Sequence, residues 1–159
     1  MTEQILKRVT HKVAFARILA ELTKQPSIRF AFDHYIRTPP RRSPSPFQTP
    51  LSLEQSCSLA PLAGALLLPL HDRETPLDFF PLPQKAGSGL FLSPACVIPW
   101  PQLFSTAELS FLLIGFAQQR TFFRAGSSDP LASELKKFGY AFNDLLKEPL
   151  HPLLYTEKY

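Results

Sequence analysis

His71-Asp72-Arg73-Glu74 puts an imidazole, two carboxylates and a guanidinium into four consecutive residues, the side chains that general acid and base catalysis uses. The tetrad follows the apolar run Ala65 to Leu70, so it would stand at the end of a buried strand, where many folds place reactive groups. Consecutive residues of a strand point to opposite faces. His71 and Asp72 therefore aim at one substrate only if the chain has already turned, and a charged turn between strands explains all four residues without chemistry. Cys96 is the second candidate. It lies in the apolar run Phe91 to Ile98, and its thiol becomes a nucleophile only with a histidine beside it in space; otherwise it is a buried structural thiol. No catalytic residue is assigned on these grounds.

The remaining side chains point away from cofactor chemistry. His11, His34, His71 and His151 show neither an i, i+4 pairing nor cysteine partners, so no metal ligands are expected. The six glycines form neither a GxxxxGK[ST] nor a GxGxxG loop, and no cofactor is expected. Cys57 and Cys96 lack a C-x-x-C spacing and there is no secretory signal pattern, which predicts free thiols in a reducing, intracellular compartment. The N-terminus has the positive charge of an organellar presequence but also Glu3 and Glu21, so import into an organelle is the secondary localisation reading.

Charge offers a different chemistry. The first 42 residues hold nine Lys or Arg against three acids, a balance of +6 in a chain whose total is +4, so the rest sums to −2. A local positive field attracts acidic or phosphate-rich surfaces whatever the fold beneath it. The candidate partner-binding residues are Lys7, Arg8, Lys12 and Arg17 along one flank of a helix, and Arg37, Arg41 and Arg42 on a proline-rich arm. Tyr35 and Phe47 flank that arm and are suited to stacking on bases.

These side chains must be carried by elements. Residues 2–24 contain no Gly or Pro, and Ile5, Val9, Val13, Ala16 and Ala20 recur at helical spacing beside Phe15, Ile18, Leu19 and Leu22. Pro26 stops this N-terminal helix. Ser27 to Ile36 then alternates Ile28, Phe30 and Phe32 with Arg29, Ala31 and Asp33, the period of a half-buried strand. Residues 37–50 have five prolines and no apolar period, which predicts an extended loop or linker. Ala65 to Leu68, Leu77 to Leu82 and Gly89 to Ile98 read as short strands, the last two as a hairpin. Their prolines restrict them to edges, ends or bulges. Ser105-Thr106-Ala107-Glu108 fits a capping box and predicts a buried helix through Phe116. Asp129 and Pro130 open a final helix whose face is Leu131, Leu135, Phe138, Phe142 and Leu145, ending at Pro149.

The fold expected is α+β: an N-terminal helix, a small, mostly antiparallel sheet of short strands, and two C-terminal helices packed on it. A chain of 159 residues with 45% hydrophobic content suits one domain, residues 1–159. Its longest proline-free apolar run, Leu109 to Ala117, is about half the roughly 20 residues of a membrane-spanning helix. Fourteen Phe, a proline-rich arm and no convergent polar site suit a non-catalytic interaction or adaptor subunit of a larger protein or ribonucleoprotein assembly, docking through its basic N-terminal third. The alternative is a small α+β enzyme with a site around His71 and Asp72 or Cys96.

Overall fold

The computed structural model describes residues 14–38, 49–106, 109–124, 135–141, 143–148 and 150–156. In chain order they form helix α1 (14–23), strands β1 (Ser27–Thr38), β2 (Leu51–Ser52), β3 (Leu59–Pro69), β4 (Leu90–Leu92) and β5 (Val97–Ile98), helix α2 (Trp100–Ser105), and strands β6 (Leu109–Phe123) and β7 (Leu153–Thr156). Five strands make one sheet in the order β4-β3-β6-β1-β7, every pairing antiparallel, and β2 pairs with β5 in a separate ribbon.

The α+β expectation is overturned, because the chain is mostly β and its large sheet curls into a half-barrel. The largest difference lies at 105–116. The apolar run there is β6, a strand of 15 residues in the middle of the sheet, rather than a helix. Leu109, Phe111 and Leu113 pack on one face while Leu112, Ile114 and Phe116 pack on the other. A strand covered on both faces loses polar alternation and looks like a buried helix in sequence. Ser105 is the last residue of α2, and its hydroxyl donates to Gln102 O at 2.9 Å instead of capping a following helix.

The last predicted helix is corrected too. Residues 135–137 are helical, but Gly139 has φ +89° and Tyr140 N–H donates back to Leu135 O at 3.0 Å, a glycine-terminated helix end. Beyond it Leu145 makes a β-bridge to Phe122. Asp129, Pro130, Leu131, Phe142 and Pro149 lie outside the described residues. Leu77 to Leu82 is not a strand, and β4 pairs with β3 rather than with that segment. The strands are long where short ones were expected, 12 residues in β1 and 11 in β3. Pro61 is accommodated in central β3 because the register shifts between Ala60 and Leu62, so its missing N–H falls at a bulge.

Each face of the sheet has its own core. On the outer face α1 sets Ala16, Leu19 and Ala20 on Ile28, Ala63, Ile114 and Phe116, with the Phe15 and Phe116 rings 5.0 Å apart. The inner face, away from α1, meets α2 and the β2-β5 ribbon: Trp100, Leu103, Leu53 and Ile98 join Phe32, Leu67 and Phe111 in one buried cluster. Trp100 Nε1–H donates to Ser56 Oγ at 3.0 Å, which satisfies the indole inside that core.

Candidate functional site

His71 to Glu74 follow the exposed Leu70 just past the end of β3. Asp72, Arg73 and Glu74 are used structurally. Asp72 Oδ1 accepts the Ala86 N–H at 2.8 Å, the Arg73 N–H donates to Gln84 O at 2.7 Å, and Gln84 Nε2 donates to Glu74 O at 2.9 Å. The tetrad is one half of a loop zipper whose other half is residues 84–86. Asp72 joins it through its side chain and Arg73 and Glu74 through their backbones, while the Arg73 guanidinium donates from Nη2 to Thr75 O at 2.7 Å and its Nη1 is buried without a hydrogen-bond partner.

Cys96 closes the turn into β5, its N–H donating to Ser93 O at 3.1 Å. Burial raises the thiol above its ordinary pKa, so it stays protonated at neutral pH, the opposite of what a nucleophile needs. Its Sγ lies 3.9 Å from Val97 O, and both Cys57 and Cys96 are free thiols.

Of the basic residues, Arg17 is exposed on α1, where its Nε is 4.0 Å from Glu21 Oε1. Arg37 is exposed on β1 opposite Ser110, two residues from Tyr35, which is 62% exposed on the same face of the strand. Lys7, Arg8, Lys12, Arg41 and Arg42 lie outside the described residues.

One cluster escaped the sequence reading. His151 is 3% exposed, and its Nδ1 lies 3.0 Å from the Tyr140 hydroxyl, which also donates to Lys147 O at 3.0 Å. Arg29 Nη1 donates to His151 O at 2.7 Å, and Arg29 Nε to Gln119 O at 3.2 Å. Burial first, and the Arg29 charge second, lower the imidazole pKa to about 4 against a smaller opposing hydrogen bond to the Ala31 backbone. His151 is therefore neutral at pH 7 and fastens the C-terminal segment to β1. Beside it is an open cleft of about 130 Å³ lined by Phe30, Phe32, Asp33, Leu135, Phe138 and His151. Nothing in the spacing of Arg29, Tyr140 and His151 announces this cluster; only the return of the chain as β7 along β1 brings the three together.

No family model and no curated protein matches the chain. It is similar to the solved structure of the non-heme alpha ketoglutarate dependent carbocyclase SnoK from nogalamycin biosynthesis, at 14% sequence identity and a TM-score of 0.59, over 87% of this chain. This chain spans 66% of that one. The likeness is one of fold: the curled five-stranded sheet resembles one wall of a jelly roll.

Proposed function

We propose that this chain is a non-catalytic interaction subunit built on a jelly-roll frame, docking to an acidic partner in a protein or ribonucleoprotein assembly through its basic N-terminal third. The observation that carries the reading is Tyr35 beside Arg37, both exposed on one face of β1 at the end that leads into the arginine- and proline-rich stretch. An aromatic ring next to a guanidinium suits stacking and phosphate or carboxylate pairing together. The separation of His71 and Asp72, on the loop after β3, from Cys96, in the turn into β5, argues the same way. Purification of the tagged protein from its own cells at about 50 mM and about 500 mM salt tests it, with nuclease treatment to tell RNA from protein. A partner retained at low salt, lost at high salt and lost with Arg37, Arg41 and Arg42 reversed to Glu is the expected result. A lone monomer at both salts overturns it.

The second reading is an enzyme, favoured by the likeness to the carbocyclase fold. For chemistry of that kind the chain would have to supply ligands to a non-heme iron. The residues do not fit: among the described residues no three His, Cys, Asp or Glu side chains stand close enough together to hold a metal ion. An enzyme here would work instead through His71 and Asp72 or through Cys96, and His71→Ala or Cys96→Ala would abolish its turnover.

A further inference from the structure

The disagreement between the fold and its expected metal extends into the half-barrel. Along the inner face, β1 contributes Phe32, His34 and Ile36, β3 contributes Ala65 and Leu67, β4 contributes Leu90 and Leu92, and β6 contributes Leu109, Phe111, Leu113, Gly115 and Ala117. His34 is the single side chain in that set able to ligate a metal, and its ring already lies 5.2 Å from that of Phe32. A metal site needs at least three protein ligands, so four strands supply one where three are required.

The centre of this face is occupied by the chain itself. Phe32 pairs with Gly115, and a Cβ on Gly115 would come within 2.2 Å of the Phe32 ring, so the glycine exists where the ring must lie flat on the backbone. From the other side α2 brings in Trp100, 1% exposed, and Leu103, 0% exposed, with the Trp100 and Phe104 rings 6.3 Å apart. We infer that the inside of this jelly roll is filled by an aromatic core, with Phe32 seated on Gly115, so that the protein takes neither iron nor alpha-ketoglutarate there and folds without them. This goes beyond the docking reading and does not depend on it.

Two measurements on the full chain test it. In the first, Co(II) or anaerobic Fe(II), with and without alpha-ketoglutarate, is titrated into the protein while Trp100 fluorescence and Tm are followed. The expected result is a Tm unchanged within about 1 °C and no change in Trp100 emission, since a ligand that binds the folded state raises its Tm. A one-to-one complex that disappears in His34→Ala overturns the inference. In the second, Phe32→Ala is exposed to benzene, because a dry apolar cavity admits small apolar molecules. The variant should lose Tm and recover part of it on benzene saturation, while the native chain gains nothing. Equal gains in both would mean that the interior is already open. Should Phe32→Ala not fold, Phe32→Leu carries the same comparison with a smaller cavity. Neither measurement responds to the partner of the basic third, so failure of one proposal is distinguishable from failure of the other.

Discussion

Arg29, Tyr140 and His151 tie the C-terminal segment to β1 and β6 through one polar cluster. Tyr140→Phe keeps the ring and removes a hydroxyl that serves Lys147 and His151 at once. It should cost about 1–3 kcal/mol, because a buried imidazole and a backbone group are left unsatisfied together. Urea unfolding reads this directly. The same site makes stability depend on pH. The folded imidazole has its pKa lowered to about 4, whereas the unfolded chain takes up its proton near 6.5. Between those values the unfolded state binds the extra proton, so the contribution is complete above about pH 6.5 and fades as pH falls toward 4, by up to about 3 kcal/mol. His151→Gln should flatten that part of the urea-midpoint profile, and an equally steep profile in the variant would assign the effect elsewhere. Gly115→Ala makes a companion case. With its Cβ 2.2 Å from the Phe32 ring, it should destabilise by about 3 kcal/mol, at the upper end of overpacking costs. A smaller loss in the Phe32→Leu background would confirm the clash.

The strands explain what was legible in advance and what was not. Ser27 to Ile36 is correctly read as a strand because Arg29, Asp33 and Tyr35 break its apolar run, but the bulge between Phe30 and Phe32 puts Ile28 and Phe30 on the outer face and Ala31 and Phe32 in the inner core, which strict alternation does not foresee; 14–23 is read correctly as a helix because one side meets solvent. Strand β6 has no such marker, since Leu112 and Leu113 are both taken out of water by opposite cores. With polarity removed, period carries no information, and Ser105 and Glu108 supplied a capping pattern by coincidence. Ser105→Ala should change stability by no more than about 0.5 kcal/mol, because its hydroxyl is exposed at the end of α2, whereas a helix cap would cost about 1. Leu113→Ala, on the inner side of β6, should cost about 2–5 kcal/mol. The candidate site was legible only as charge: Arg17 and Arg37 are exposed as expected, although Arg37 belongs to β1 rather than to the loop expected at 37–50, and the use of Asp72 to Glu74 as a zipper depends on Gln84 and Ala86, which no local pattern links to them. The C-terminal hub was invisible for the same reason, since its partners are 122 and 11 residues apart.

As a whole, the molecule is organised around one late strand. In the order β4-β3-β6-β1-β7, neither β1 nor β3 borders the other; each finds its long partner in β6. On the ribosome this means that a nascent chain emerging as far as Ser105 has made two apolar strands and none of the ladder that joins them. At translation rates of about 5–20 residues per second, that unpaired interval lasts on the order of seconds, and the edges exposed in it are templates for aggregation. Such a chain should be a chaperone client until synthesis passes Phe123, and should refold slowly from denaturant, as sheets closed by distant segments do.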